Sequence, residues 1–447
     1  MKSEGKTAVA RGKAQLPRFF SALFGALLGL ALLKFGNPVV LDKLIVPPTD
    51  IYEWALAAWP ISIGYWLLAG VVVVGLFCVR WQNLKLHWLG LLPLIWLGWQ
   101  LVSGSRTVDA DLTAATLKHF TACVGCFYLG YFVLGRMQNP ALFWLGLVCG
   151  FALVLYRGLE QHLGGLEETR KHFWLYVYPT MKEPAPELLK RMSSSRIFST
   201  LFYPNALAGV ILLCLPPLLA FVWRLEKRFT SGARLLLVAL LGFPALTCLF
   251  WSGSKGGWLL LLLLGLVALL HLRFKRKWKV TLVIMALVVG LAGFTVRFSG
   301  YFRHGATSLS ARFDYWRAAL ETAKANPIFG TGPGTFAISY RKIKRPESEM
   351  SRLVHNDYLQ QASDSGFLGF LAYSVFTLGT LGVAYPRGGI CEDGLRFSVW
   401  LGLLGWGLQG LIEFGLYIPA LGWTAFAFWG WLLETHRNQI DKGPAAT

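Results

Sequence analysis

The stretch YPNALAGVILLCLPPLLAFVW, residues 203–223, carries no charged side chain. A helix needs about 20 apolar residues to cross the hydrocarbon core of a bilayer, and this stretch is long enough to do so. Runs of the same kind recur along the chain, in which 55% of residues are hydrophobic and 15% are charged. Soluble domains carry about 25% charged residues. The sequence therefore predicts an all-α polytopic membrane protein.

About twelve segments are predicted to cross the membrane. Residues 19–297 contain nine of them and residues 367–434 contain three. Two polar loops, residues 157–202 and residues 298–366, interrupt the series, and the second is expected to hold short amphipathic helices. The twelve predicted spans lie near residues 19–35, 59–79, 86–103, 116–135, 140–156, 203–223, 235–252, 257–272, 279–297, 367–385, 397–416 and 418–434.

Loop charge predicts the orientation of the spans. If the N-terminus is cytoplasmic, the short loops on that side are nearly all basic, as the positive-inside rule requires. Residues 1–18 and 435–447 are then cytoplasmic tails, and both long loops lie on the opposite face, which is periplasmic in a bacterium. The formal net charge of +20 is explained by this topology and by attraction to anionic lipids. No sequence pattern of a nucleic-acid-binding module is present.

The cysteines predict neither a disulfide framework nor a metal site. Cys123 and Cys126 have the CxxC spacing, but they lie within a predicted span and no second ligand pair accompanies them. We expect them to be buried and inert. The zinc motif HExxH is absent as well.

The first candidate anion-binding segment is SSRIFSTLFYPN, residues 194–205, which leads into the span at 203–223. Arg196 is therefore expected near the membrane surface. The planar guanidinium group suits a phosphate because it can donate two parallel hydrogen bonds. The alternative is an arginine that only anchors the chain at lipid headgroups.

The second candidate is the short turn WSGSKGGW, residues 251–258, on the same predicted face. Lys255 there opposes the positive-inside tendency, so it requires an explanation. The glycines and the start of the next helix are suited to an anion, because backbone N–H groups point toward a ligand there. A simple interfacial lysine is an equally good explanation of this turn alone.

The third candidate is the loop at residues 298–366. The spacing of Phe313, Trp316 and Leu320 predicts an amphipathic helix over residues 311–325 with Ser310 as its N-cap, and Arg312 lies on this helix. The segment GTGPG, residues 330–334, lacks the features of a nucleotide-binding loop and is predicted to be a turn at the membrane surface. Pro346 predicts the first turn of a further helix.

His355 lies in HNDYLQ, residues 355–360, and is placed by the sequence on the helix after Pro346, one turn beyond Arg352. A lone histidine is more often structural than catalytic. Its position opposite the cytoplasm, together with Arg196 and Lys255, favours a functional role. Glu413 is an acid within the penultimate predicted span, and it is either a functional group or a structural partner for one of the basic sites.

These residues together resemble the O-antigen ligase and polymerase superfamily, most clearly over residues 190–370. The likeness is carried by Arg196 with YPNALA at 203–208, SKG at 254–256, Arg312 with Trp316, PIFGTGPGTF at 327–336, and HNDYLQ at 355–360 followed by Gly366 and Gly369. In one position the sequence departs from the pattern, because the superfamily usually has arginine where this chain has Lys255. Lysine keeps the charge but loses the bidentate fork.

The resemblance implies a GT-C-like, metal-independent glycosyltransferase without a cofactor, in the bacterial inner membrane. Such a ligase moves a glycan from undecaprenyl diphosphate to a sugar hydroxyl of lipid A-core at the periplasmic face. Carried over to this chain, Arg196 and Lys255 bind the diphosphate, with Arg312 as a third candidate, and His355 activates or orients the acceptor. The candidate supporting residues are Asn205, Arg352, Asn356 and Glu413.

Three other functions stay open from the sequence. A polysaccharide polymerase of the same superfamily would use a second lipid-linked repeat as acceptor. A small-anion transporter is disfavoured, because few charged residues lie inside the predicted spans. A non-catalytic scaffold would leave the basic residues and the histidine on one face without a reason.

Overall fold

A computed structural model describes residues 2–83, 86–181, 189, 192–303, 307–386 and 393–442 of the 447-residue chain. Parts of the predicted loops and of the C-terminal tail, at residues 84–85, 182–188, 190–191, 304–306, 387–392 and 443–447, lie outside these ranges. The described residues contain no strand, and the structure is 79% helical. The predicted all-α class is confirmed.

The bundle consists of long apolar helices joined by turns, with short helices at its ends. In chain order the helices are α1 Lys2–Lys34, α2 Ile51–Leu56, α3 Ile61–Cys78, α4 Leu92–Gly104, α5 Ala110–Arg136, α6 Ala141–Thr180, α7 Pro204–Trp223, α8 Ser231–Ser252, α9 Lys255–His271, α10 Arg276–Arg303, α11 Thr307–Ala325, α12 Phe336–Ile343, α13 Asp357–Val383, α14 Gly394–Gln409 and α15 Pro419–Lys442.

Eight of the described helices are long and apolar enough to cross a bilayer, namely α1, α3, α5, α6, α7, α8, α10 and α13. The helices α4 and α9 are apolar but shorter. The protein is therefore a polytopic membrane protein, while the predicted number of twelve crossings stays a prediction. Burial separates these helices by position: 78% of the apolar window of α7 is buried, and none of the window of α10. We conclude that α7 is central and α10 peripheral.

Close backbone packing holds the central helices together. On α1, a Cβ atom at Gly25 would lie 2.3 Å from the carbonyl oxygen of Phe143, and one at Gly29 would lie 2.5 Å from that of Gly146. The facing helix α6 offers its own glycines, Gly146 and Gly150, with the same spacing. Small residues four apart let two helices in a membrane approach until their backbones touch. These glycines therefore fix the crossing of α1 and α6.

Helix direction alternates so that several helix ends meet at one end of the bundle. The helices α7, α9 and α13 begin there, and α8, α10 and α14 end there. Residues from these termini line a single cavity, including Pro204, Gly253, Lys255, Phe302 and Gln409. The predicted placement of three separate segments at one face of the protein thus corresponds to shared walls of one cavity.

The first predicted long loop is partly helical. Helix α6 continues from the predicted span through residue 157 to Thr180, with π turns at Gln161–Gly165 and Phe173–Val177 and a kink at Gly164. Buried Leu166 and Phe173 extend its apolar face beyond the span. Hydrophobicity alone underestimated this helix, because its extension is amphipathic rather than uniformly apolar.

Three local predictions for the loop at residues 298–366 are wrong. No helix starts at Pro346, and α13 begins only at Asp357, so the prediction that His355 lies on a helix is wrong. The reason is Asn356, whose side chain accepts a hydrogen bond from the N–H of Leu359 and caps α13. Helix α11 begins at Thr307, so Ser310 is inside it and is not the N-cap.

The buried face of α11 also differs from the predicted one. Phe313 and Leu320 are 58% and 46% exposed, whereas the side chains turned into the protein are those of Tyr315, Ala318, Ala319 and Thr322. Three of these four side chains are small, which lets α11 pack closely on α13. Exposed apolar side chains of this kind are suited to contact with lipid.

Candidate functional site

The cavity at the shared helix ends has a volume of about 710 Å³. Seven of the eight predicted site residues line it: Arg196, Asn205, Lys255, Arg312, Arg352, His355 and Glu413. The eighth, Asn356, is the cap of α13 and does not line the cavity. Its contribution is to the position of its neighbour His355.

Arg196 is held by two hydrogen bonds that its guanidinium group donates. Its Nε atom donates to the carbonyl oxygen of Ser252 at 2.6 Å, and Nη2 donates to Oδ1 of Asn205 at 2.9 Å. Burial lowers the pKa of Arg196, and repulsion from Arg312 adds to this against the attraction of Glu413. The side chain is therefore preorganised and partly stripped of water, which favours the binding of an anion.

The turn behind Arg196 is fixed from α6. The side-chain oxygen of Gln161 accepts hydrogen bonds from the N–H groups of Phe198 and Ser199, and its amide donates to the carbonyl oxygen of Ser199. Ser199 has a φ of 56°, which is uncommon for a residue with a side chain. Three hydrogen bonds from one buried amide stabilise this turn and keep Arg196 at the cavity.

Lys255 occupies the first position of α9. The hydroxyl of Ser254 accepts a hydrogen bond from the N–H of Gly257 and caps the helix. The Lys255 ammonium lies 3.7 Å from the ring centre of Tyr301 and 5.4 Å from that of Phe298. The charges of Arg196, Arg312 and Arg297 all act on it. Positive charge is thus concentrated at the N-terminus of α9.

Glu413 connects the basic residues to the histidine. Its Oε1 atom contacts the guanidinium of Arg312 and accepts a hydrogen bond from Nδ2 of Asn205 at 2.6 Å. Burial opposes ionisation of the carboxyl group, but Arg312, His355 and Asn205 outweigh it and lower the pKa of Glu413. Because α14 ends at Gln409, Glu413 is outside the span in which the sequence placed it.

His355 has a fixed ring and a strained backbone. Its φ is 54°, and left-handed backbone at a residue with a side chain costs roughly 1 kcal/mol or more. The ring stacks on Tyr315 at 5.7 Å and meets Phe414 edge-on at 4.7 Å. Its Nδ1 atom is 3.1 Å from Oε2 of Glu413.

This contact assigns the tautomer of His355. An ionised carboxylate only accepts hydrogen bonds, so Nδ1 must carry the hydrogen that it donates to Glu413. In the neutral ring, Nε2 is then the atom able to accept a proton. The arrangement can therefore support general-base chemistry at Nε2.

The segments that carry His355 and Glu413 are joined directly. The N–H of Asp357 donates to the carbonyl oxygen of Gly410 at 2.7 Å, and Oδ2 of Asp357 accepts from the N–H of Leu416. These bonds bracket Glu413 on both sides in sequence. The distance between the imidazole and the carboxylate is therefore set by backbone contacts as well as by the side chains.

The GTGPG segment supports the site from behind and does not line the cavity. Gly332 has a φ of 106°, and a Cβ atom there would lie 2.1 Å from Oγ1 of Thr107. The N–H of Gly334 donates to Oδ2 of Asp364 on α13 at 2.8 Å. The hydroxyl of Thr113 on α5 donates to the carbonyl oxygen of Pro333, so the segment anchors the end of α11 against α13 and α5.

Sequence reasoning missed four residues that shape the site. Tyr301, Tyr315 and Phe414 contact Lys255 or His355, and Gln161 fixes the turn after Arg196. The aromatic residues were indistinguishable from interfacial anchors in a chain with 19 Trp, 31 Phe and 15 Tyr residues. Gln161 is remote from Arg196 in sequence and has no motif that could reveal it.

The expected burial of Cys123 and Cys126 is observed, and both are fully buried thiols. Within the described ranges, no group of three or more His, Cys, Asp or Glu side chains has an arrangement that could hold a metal ion.

Comparison with known protein families gives a match in the second half of the chain. Residues 240–374 match the family model described as O-antigen ligase. This confirms the resemblance to the O-antigen ligase and polymerase superfamily, and the matched segment contains Lys255, Arg312 and His355. Arg196, Asn205 and Glu413 lie outside it. At a coarse level the match supports a glycosyltransferase-like ligase or polymerase.

One curated relative is a protein of Haemophilus influenzae described as "Uncharacterized protein". The two are 29% identical over 150 residues, which covers 28% of this chain and 38% of the relative. The chain thus matches less than two fifths of that relative's length, and the relative adds nothing about activity.

Proposed function

We propose that the protein is a glycosyltransferase that moves a glycan from undecaprenyl diphosphate to a sugar hydroxyl of lipid A-core, at the periplasmic face of a bacterial inner membrane. The charge of the cavity is the observation that carries this proposal. Among the described residues, the cavity is lined by Arg196, Lys255, Arg312 and Arg352 and by two carboxylates, Glu349 and Glu413. A glycosyl diphosphate diester carries one negative charge on each phosphate, so it would neutralise this excess.

The donor would be held by Arg196, Lys255 and Arg312. Arg196 lines the cavity, and its hydrogen bonds to Ser252 and Asn205 fix the side chain before the ligand binds. Preorganised cations stabilise the charge that develops on a departing diphosphate without first having to reorient. Apolar side chains along the same cavity suit the polyprenyl chain, and they include Leu259, Phe294, Phe302 and Leu309.

His355 would act as the general base on the acceptor. Its Nε2 atom takes the proton of the acceptor hydroxyl while the hydroxyl oxygen forms a bond to the anomeric carbon of the donor glycan. The bond between that carbon and the diphosphate oxygen breaks, and the electron pair leaves with undecaprenyl diphosphate. Glu413 stabilises the imidazolium that forms, because its carboxylate accepts the Nδ1 hydrogen.

The test is a transfer assay with the purified full-length chain in liposomes. An undecaprenyl-diphosphate-linked glycan serves as donor, a chelator is present, and lipid A-core or a second donor molecule is offered as acceptor. We expect product on lipid A-core and a loss of about 100- to 10,000-fold in rate for His355→Ala. The exposed His172 on α6 gives the matched control, and His172→Ala is expected to transfer normally.

The outcomes separate the competing functions. Donor-linked chains that grow longer would identify a polymerase in place of a ligase. Transfer that persists at the wild-type rate in His355→Ala would contradict the base assignment. Transfer that requires the ion removed by the chelator would contradict a metal-independent reaction.

A further inference from the structure

Tyr301, at the end of the peripheral helix α10, is in a position to act on the donor through Lys255. The Lys255 ammonium lies over the face of the Tyr301 ring, 3.7 Å from its centre. A cation within about 6 Å of an aromatic face is attracted by the ring. Building on the proposed function, we propose that Tyr301 is a positioning residue that holds Lys255 where the diphosphate binds.

The ammonium group of Lys255 requires a contact that fixes its position. Its ammonium group is on a flexible four-carbon chain, and the charges of Arg196, Arg312 and Arg297 repel it. Within the part of the chain that the structure describes, no hydrogen bond or ion pair holds Nζ, and its contacts are with the rings of Tyr301 and Phe298. Without the nearer ring, repulsion would move the ammonium away from the other cations and from the ligand between them.

The Tyr301 ring is itself fixed by its hydroxyl group. The Oη atom is 2.7 Å from Oγ of Ser308 and accepts a hydrogen bond from the N–H of Leu309 at 3.1 Å. That N–H belongs to the first turn of α11, where helix N–H groups lack partners within the helix. Arg312 lies one turn further along α11. Tyr301 therefore connects α11, which carries Arg312, to the ammonium group of Lys255.

This arrangement also explains how a lysine side chain can be held at this position. A guanidinium fixes itself by several directed hydrogen bonds, whereas an ammonium is a compact point charge. An aromatic face attracts a point charge without requiring a particular hydrogen-bond direction. Tyr301 thus provides the orientation that the lysine side chain lacks.

The test is a double-mutant cycle on donor KM and kcat in the reconstituted full chain. We expect Tyr301→Leu to raise the donor KM by about five- to thirty-fold, as the loss of a desolvated cation–π contact implies. Tyr301→Phe keeps the ring but loses the hydroxyl contacts that fix it, so its donor KM is expected to rise by less than that of Tyr301→Leu. In the Lys255→Met background, Tyr301→Leu should add almost nothing, because the group that it positions is gone.

The control and a direct binding arm keep the outcomes distinct. Tyr156→Leu, at a 63% exposed tyrosine on α6, is the matched substitution and should leave the donor KM unchanged. Binding of undecaprenyl diphosphate to each folded variant is measured alongside. If Lys255→Met weakens binding and Tyr301→Leu weakens it further by its full factor, only the role of Tyr301 is overturned. If Lys255→Met leaves binding unchanged, the proposed diphosphate site fails at Lys255 and the positioning role fails with it.

Discussion

Both ends of the bundle hold a buried glutamate with arginines around it, but the two glutamates have different surroundings. At one end Glu434 accepts from Nε of Arg136 at 2.9 Å and from Nη2 of Arg437 at 2.5 Å. At the other, Glu413 contacts Arg312 and His355 at the wall of the 710 Å³ cavity. We call the residues around Glu434 the first cluster and those around Glu413 the second cluster. Helix α15 begins six residues after Glu413 and carries Glu434 toward its other end.

Burial alone does not distinguish the two clusters. The side chain of Arg136 is 12% exposed and that of Arg312 is 17% exposed, while the two glutamates are 0% and 10% exposed. The difference is in what the cations face. In the first cluster Glu434 contacts Arg136, Arg437 and Tyr131, whereas the second shares one carboxylate with a histidine and lines a cavity with further cations. A glutamate surrounded by arginines stabilises the fold, and a cavity with an excess of cations has charge left for a ligand.

The strongest way to separate the two ends of the bundle is a matched pair of arginine substitutions, one at the cavity and one beside Glu434. Arg196→Gln removes a charge-assisted contact to the donor, so we expect the donor KM to rise about 10- to 100-fold with little change in thermal stability. Arg136→Gln leaves the buried Glu434 with fewer partners, and we expect its Tm to fall by roughly 5 °C with an unchanged donor KM. Steady-state kinetics and thermal unfolding of both variants provide the measurement.

The reverse pattern would refute the comparison. A stability loss without a KM change in Arg196→Gln would make Arg196 a structural residue. A KM change without a stability loss in Arg136→Gln would assign function to the opposite end.

A smaller effect concerns Glu413 and pH. Because its pKa is lowered in the folded state, the carboxylate stabilises the fold above its unfolded pKa of about 4.3, and this stabilisation is lost as the pH falls through the folded value. Glu413→Gln has no such ionisation. We therefore expect the Tm difference between wild type and Glu413→Gln to be largest near pH 7 and to shrink below about pH 4. A Tm difference that grows on acidification would contradict the lowered pKa.

The fold class was predictable because membrane helices are long and uniformly apolar. The stretch at residues 203–223 corresponds to α7, Pro204–Trp223, within one residue. Prediction failed where a helix is amphipathic and where an N-cap residue, not a proline, marks the start of a helix. The charged residues in the second half of α6 made its continuation to Thr180 look like a loop. A helix was predicted to start at Pro346, but α13 starts eleven residues later, at Asp357, after the Asn356 cap.

The candidate site was predictable as a set of residues but not as a geometry. Loop charge placed Arg196, Lys255 and His355 on one face, because alternating spans determine which loops share a side. The contact of His355 with Glu413 joins residues 58 positions apart and depends on the packing of α13 against the end of α14. No local pattern encodes that distance, nor the ring of Tyr301 over Lys255.

The most direct measurement is the affinity of the purified chain for undecaprenyl diphosphate compared with undecaprenyl monophosphate, in wild type and in the Arg196→Gln variant. We expect the diphosphate to bind at least about tenfold more tightly, because each added charge-assisted contact contributes roughly 1.5 kcal/mol or more. Arg196→Gln should reduce that preference, while Arg136→Gln should keep it. Equal binding of the two lipids, or a preference unchanged by Arg196→Gln, would contradict a diphosphate site in the cavity.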